Sequence, residues 1–393
     1  MSEVFEPRVV AFVCNWCTYL GADLAGTTRL EYPANVRIVR LPCSGRIDFN
    51  LLIKAFEIGA DAILVSGCHP GDCHYNTGNY HARRRWMVFR PLLEVLGFDM
   101  RRLHFTWISA AESRKFQQTV KQVVEETRQL GPYQYPALPT ASSGPGREPQ
   151  KNHFDPETAR QRARALLEAK EVDVVIGYGS SGPVFVRRPE DVDRITCEDT
   201  RLNLATYLGR KEVRAMGRVA ILTKPMDAGA LVVLERESQI ESGAVKTIPI
   251  GEPSTGTFAD LDALLALPPD ERMAWWAGEF SRCTRCYACR QVCPMCYCER
   301  CVADKNRPVV IDTSPTPVGN FAWHVTRAFH LAGRCVGCGA CNHACPVGID
   351  LRLLNMAVHR AVDQNFGFNV GADPKTESPI GSWAPADHEE FIR

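Results

Sequence analysis

Seventeen cysteines punctuate a chain of 393 residues, and eleven of them crowd between Cys283 and Cys345. Cys283-x2-Cys286-x2-Cys289-x3-Cys293-Pro294 and Cys335-x2-Cys338-x2-Cys341-x3-Cys345-Pro346 repeat one spacing. Three closely spaced thiolates bind one face of an iron-sulfur cubane, while the cysteine ahead of the proline reaches across to the neighbouring cluster. The repeat therefore predicts two 4Fe-4S clusters, one on Cys283, Cys286, Cys289 and Cys345, the other on Cys335, Cys338, Cys341 and Cys293. Structural zinc would combine Cys-x2-Cys pairs four at a time, leaving the third cysteine and the proline of each copy unexplained. Between the copies, Cys296, Cys298 and Cys301 add three more thiols. A third 4Fe-4S cluster there would need a fourth ligand that no nearby cysteine supplies, and a packed or hydrogen-bonded loop is the alternative. His324 and His330 sit in VGNFAWHVTRAFHLAG, whose apolar spacing predicts an ordinary helix with partly buried histidines.

A second group comprises Cys14, Cys17, Cys43, Cys68 and Cys73. VVAFV (9–13), VRIVRL (36–41) and DAILV (61–65) read as strands, and each runs into cysteine at its C-terminal end. Helices at FNLLIKAFEIGA, around 82–96 and at 113–130, with a strand at 103–108, complete the alternation of an open parallel sheet. Ligands of such sheets bind beyond the carboxyl ends of the strands, so five thiols from three loops are expected to converge there. Buried structural cysteine explains one such residue more readily than five in polar loops. Zinc suits four thiolates, and a catalytic cysteine paired with His69 or His74 would leave the other four unexplained.

CNWC, LPCSGRID and GADAILVSGCHPGDCHYNTGN closely resemble the iron-sulfur delta subunit of methyl-viologen-reducing hydrogenases, over about residues 7–131. The resemblance implies a 2Fe-2S cluster on four of Cys14, Cys17, Cys43, Cys68 and Cys73. It also implies electron relay between a hydrogenase or formate dehydrogenase and a flavin-containing, heterodisulfide-reductase-like subunit. Asp72 and His74 are then read as groups supporting the cluster rather than as catalysts.

Six prolines and little apolar periodicity mark 132–156 as a linker. Asp155-Pro156 opens a capped helix, and DVVIGYG (173–179), RVAILT (218–223), DAGALVVLERESQI (227–240) and AVKTIPIG (244–251) give a second α/β unit over 157–280. Gly177, Gly179 and Gly182 invite a phosphate- or flavin-binding reading, but the proline that follows favours a bare turn. Cys197, with no Cys or His nearby, reads as structural. RVAILTKPMDAGALVVLERESQI loosely resembles the central region of the beta subunits of deazaflavin-dependent hydrogenases and formate dehydrogenases. The CPMCYC layout, within roughly 281–348, is similar to the ferredoxin modules of those subunits. The expected chain is thus α/β: a small open parallel-sheet domain (1–131), the linker, the second α/β domain (157–280), a two-cluster bacterial ferredoxin-like module (281–350), and a C-terminal helix and tail (351–393).

Composition narrows the function classes. Lys plus Arg at 46 against Asp plus Glu at 45 leave a formal charge of +1, too balanced for a polyanion-binding chain, so no nucleic-acid partner is expected. A 45% hydrophobic and 23% charged composition is that of a globular protein. No apolar run reaches the ~18 residues of a membrane span, and the N-terminal sequence lacks the layout of a signal peptide, so a cytoplasmic protein without direct membrane insertion is expected. The expectation is a non-catalytic electron-transfer subunit, placed between a heterodisulfide-reductase-like flavoprotein and a hydrogenase, formate dehydrogenase or NADH-oxidising subunit. The alternative is a flavin-containing oxidoreductase component that works on a nicotinamide or deazaflavin coenzyme, disfavoured by the absence of a GxGxxG fingerprint.

Overall fold

β-Branched runs buried on both faces build the first sheet of the computed structural model, which describes residues 5–134, 154–251, 258–301, 303, 312 and 314–392. Strands β1 (Val9–Cys14), β2 (Val36–Leu41), β3 (Ala62–Gly67) and β4 (Leu103–Trp107) lie in the order β2-β1-β3-β4, all parallel. β3 and β4 are buried along their whole length, whereas β2 at the edge exposes Arg37 and Arg40. Helices α1 (Thr18–Thr27) and α4 (Ser113–Leu130) cover one face through Ala22, Ala25, Phe116, Val120 and Val124. On the other face α2 (Phe49–Glu57) and α3 (Gly78–Val95) bury Leu52, Phe56, Trp86 and Phe89.

The second sheet has the order β6-β5-β7-β8, formed by β5 (Val174–Tyr178), β6 (Pro183–Val186), β7 (Val219–Thr223) and β8 (Val245–Pro249). Its companions are α5 (Pro156–Glu168), α6 (Lys211–Arg214) and α7 (Pro225–Arg236). Asp155 caps α5 by accepting from the Glu157 backbone N–H at 3.2 Å. β6 pairs antiparallel with β5, and Gly179 N–H donates to Gly182 O at 2.7 Å, so GYGSSGP closes a hairpin and no helix N-terminus follows it. Cys197 is fully buried in the core, where burial pushes its thiol up to about 11.

After α8 (Ala259–Leu265) and α9 (Pro269–Ser281) come the two cysteine-rich loops, each ending in a short helix: α10 (Ala288–Gln291) and α12 (Ala340–His343). Between them runs α11 (Pro317–His330), and α13 (Leu351–Phe366) follows. These helices also dock on α2 and α3 of the first sheet. Trp276 of α9 donates to Val95 O at 3.1 Å, and Phe329 of α11 meets Phe49 edge-on at 4.9 Å. α13 lies along α3, and the tail beyond it crosses the same helix. There Arg84 grips Asp387 with two hydrogen bonds of 2.6 and 3.1 Å, Arg83 pairs with Glu389, and Trp383 stacks on Tyr80. Most of the proposed linker, residues 135–153, lies outside the described residues. Among those described, no helix is long and apolar enough to cross a membrane.

Candidate metal centres

Register delivers the first set of thiols. β1 ends at Cys14 opposite Leu41, two residues before Cys43, while the neighbouring β3 runs directly into Cys68. Cys14 Sγ lies 3.5 Å from Cys68 Sγ, and Cys43 Sγ lies 3.9 Å from Cys73 Sγ. Two sulfurs held ~2.3 Å from one tetrahedral metal stand ~3.8 Å apart, so each pair has the bite of a single metal atom. Among the described residues no three His, Cys, Asp or Glu side chains form a site for one ion. Cys17, at the start of α1, also hydrogen-bonds to Cys68, and Asp72 faces its thiol.

Electrostatics divide the group. The hydrogen bond with Cys68, together with backbone N–H groups of Trp16, Cys17 and Ser44, outweighs burial and holds the Cys14 thiol down at about 6. Cys68 is driven well above the usual thiol range by its Cys14 contact and by burial. Burial raises Cys43 to about 11 despite the Gly45 N–H donated to its sulfur at 3.4 Å, and burial raises Cys17.

Several supports of this site were not anticipated. Asn79, fully buried, donates from Nδ2 to Cys68 O at 3.1 Å and His69 O at 2.7 Å, fixing the loop after β3. His69 Nε2 lies 2.7 Å from Glu112 Oε2, which also accepts from Ser109 N–H at 2.7 Å. Burial alone would raise the Glu112 carboxyl, but these partners hold it at about 2. A Cβ on Gly78 would stand 2.3 Å from Cys43 Sγ, so only glycine lets α3 begin against that thiol. Within these loops His74 stacks on Trp16 with centroids 3.7 Å apart, and Trp16 Nε1 donates to Tyr75 OH at 3.3 Å. Trp16 and Tyr75 are 38% and 52% exposed, leaving an exposed aromatic face in the loops that carry Cys17 and Cys73.

The two later loops share one backbone design. Two and four residues after the leading cysteine, both turn left-handed: Arg285 (φ 56°) and Tyr287 (φ 60°) in the first, Gly337 (φ 71°) and Gly339 (φ 74°) in the second. Each leading sulfur accepts a backbone N–H at 3.4 Å, from Arg285 to Cys283 and from Gly337 to Cys335. Cys283, Cys286, Cys289 and Cys345 line one small cavity, walled by Trp323, His324, Ile349 and Leu351. Those four are the crossed set expected from spacing. Cys335, Cys338 and Cys341 gather likewise, burial pushing Cys335 up to about 12 and Cys338 to about 11. Cys293, the expected fourth member of that set, contacts Cys296 and faces Arg327, as Cys341 does.

Side chains remote in sequence hold these loops. Asn320 of α11 donates to Cys283 O at 2.8 Å and Asn355 of α13 to Cys341 Sγ at 3.6 Å, while Asn203 lies beside Cys338. His324 is buried and stacks on Phe280 at 4.7 Å, with burial holding its pKa well below the ordinary value, while His330 is exposed. In the extra loop Cys296 and Cys301 are half-buried and Cys298 exposed. Tyr297 OH donates to Glu237 at 2.9 Å, which Arg334 grips at 2.6 and 2.7 Å.

Thiols gathered at the ends of a parallel sheet and in two repeated cysteine loops define an iron-sulfur electron-transfer protein of α/β architecture. Its kin agree. The family model of the methyl-viologen-reducing hydrogenase delta subunit matches residues 9–131, and through that segment the chain belongs to this family. It is 48% identical over 132 residues to the iron-sulfur subunit of the F420-non-reducing hydrogenase vhc of Methanococcus voltae, covering 34% of this chain and 92% of that one. The corresponding iron-sulfur subunit of the F420-non-reducing hydrogenase of Archaeoglobus profundus is 45% identical over 135 residues, 34% of this chain and 98% of its own. The same segment is 44% identical over 126 residues to one subunit of the ferredoxin:CoB-CoM heterodisulfide reductase of Methanosarcina mazei, covering 32% of this chain and 16% of that protein.

Proposed function

We propose that this chain is a relay subunit passing electrons between a donor, such as a hydrogenase, formate dehydrogenase or NADH-oxidising module, and a heterodisulfide-reductase-like flavoprotein. The paired thiols Cys14/Cys68 and Cys43/Cys73 carry the reading, because their separations suit the two metals of a 2Fe-2S cluster and leave Cys17 as the fifth thiol. Cys283, Cys286, Cys289 and Cys345 hold one 4Fe-4S cluster, and Cys335, Cys338, Cys341 and Cys293 the other. When bound, such clusters take up and release single electrons with little rearrangement. The chain's own residues place the sulfurs, exclude water with Trp323, Ile349 and Leu351, and donate backbone N–H groups to Cys43, Cys283 and Cys335. The aromatic face of Trp16, His74 and Tyr75 is where the flavoprotein approaches the first cluster.

Anaerobically purified chain should contain about ten irons, four for each cubane and two for the N-terminal cluster. A reproducible value near six without a two-iron signal in electron paramagnetic resonance would remove the N-terminal assignment. A value near fourteen would add a third cubane using Cys296, Cys298 and Cys301. Affinity purification of the tagged full chain should bring down the flavoprotein with an electron-donating subunit. Release of flavin from the chain alone on acid extraction would instead favour a flavin-containing oxidoreductase.

A further inference from the structure

Helix α11 fills the interval between the two cysteine repeats, and near its end Arg327 is only 7% exposed. One guanidinium nitrogen, Nη2, donates to Cys289 O at 3.1 Å, and Nε is buried without a partner. Other buried arginines also leave a nitrogen unpartnered, Arg83 at Nε and Arg285 at Nη1, but have more or stronger partners elsewhere. Arg83 pairs with Glu389, Arg272 donates to three backbone carbonyls, and Arg285 to Asn320 and two carbonyls. Among the described residues no Asp or Glu pairs with Arg327. What its charge faces instead is sulfur: Cys296, Cys289, Cys293 and Cys341.

A guanidinium never gives up its proton in a protein, and a buried charge left without a countercharge costs several kcal/mol. The four sulfurs facing Arg327 come from both repeats: Cys289 belongs to the first cubane set, Cys341 and Cys293 to the second. A cubane held by four thiolates is a net anion and becomes more negative by one charge on reduction. We propose that Arg327 is a buried countercharge shared by the two cubane sites, stabilising the reduced form of each and raising both reduction potentials. This rests on the assignment of cubanes to the two repeats. It adds that one residue outside both motifs sets their potentials together. Cys296, a thiol in neither cubane set, is the rival partner for Arg327.

Potentiometric titration of the full chain, followed by electron paramagnetic resonance of the reduced clusters, tests the assignment. Arg327→Gln keeps a donor for Cys289 O but removes the charge, and Arg327→Lys restores the charge. In Arg327→Gln both cubanes should become harder to reduce while the N-terminal cluster titrates as in the wild type, and Arg327→Lys should recover most of the loss. Should Arg327→Gln fail to retain cubane iron while Arg327→Lys retains it, the requirement for charge stands. Loss of iron in both variants would mean that the side chain merely fills space, and would overturn the proposal. So would an unchanged pair of potentials, or a shift in one cubane only. Cys296→Ala should leave both potentials in place; if it raises them by about as much as Arg327→Gln lowers them, Cys296 is the partner that neutralises Arg327 and the proposal falls. Wild-type chain lacking both cubane signals would refute the underlying ligand assignment, an outcome separate from every variant comparison.

Discussion

A hydrogen atom on the α-carbon of Gly78 is all the space that the Cys43 sulfur allows, since a Cβ there would come within 2.3 Å of it. Gly78→Ala should therefore displace Cys43 from its partner Cys73 and cost the N-terminal cluster, read as a loss of about two irons per chain and of the two-iron resonance signal. Gly26→Ala, where a Cβ meets nothing within 4 Å, should retain both. Asp227 makes a different demand. It is 2% exposed, and burial outweighs Lys224 and the Tyr178 hydroxyl in lifting its carboxyl from 3.8 to about 6. The folded state thus holds this proton more tightly than the unfolded state, so the stabilising contribution is complete below about pH 3.8 and is lost as pH rises through about 6. That displacement corresponds to roughly 3 kcal/mol at neutral pH. Asp227→Asn should accordingly raise the thermal unfolding midpoint more at pH 7.5 than at pH 5, and an equal gain at both would contradict the assignment.

Elements were legible wherever local pattern and tertiary demand coincided. The apolar runs at 9–13 and 61–65 became β1 and β3, and their termini carried the cysteines to adjacent positions because parallel strands in register end together. Asp155-Pro156 marked the start of α5, and α7 begins at Pro225 rather than at residue 227 because proline suits the first helical position. β6 escaped notice, being four residues long and starting at a proline on the sheet edge. Asn79, Asn320 and Arg327 escaped for another reason: each is one polar residue on a helix, and nothing local distinguishes a helix asparagine that holds a cysteine loop from one that faces water. The repeat of the cysteine loops was fully legible as spacing, and its backbone counterpart is the pair of left-handed residues in each. Because Cys345 shares a cavity with Cys283, Cys286 and Cys289, Cys345→Ala should perturb that cluster first. Cys293→Ala should act first on the cluster of Cys335, Cys338 and Cys341. Site-resolved Mössbauer or paramagnetic spectra showing each loss confined to the mutated loop's own cluster would contradict the exchange.

At the scale of the molecule, the chain returns on itself. Arg83 and Arg84 on α3 are 1% and 11% exposed as side chains, and both draw on Asp387, which is 9% exposed. Removing one partner of such a buried set leaves charge without compensation, so Asp387→Ala should cost about 3 kcal/mol or more, read as a fall in unfolding temperature and faster proteolysis of the tail. Neither sequence pattern nor motif announces this clasp, because its halves are 303 residues apart. That separation has a meaning in time. At ~5–20 residues per second, a ribosome needs roughly 15–60 s to travel from Arg84 to Asp387. During that interval α3, whose first residue abuts the Cys43 thiol, stands in the growing chain without its final cover. Translation itself therefore allots the first thiol site a period of open access before the segment around Asp387, made much later, closes over the helix beside it.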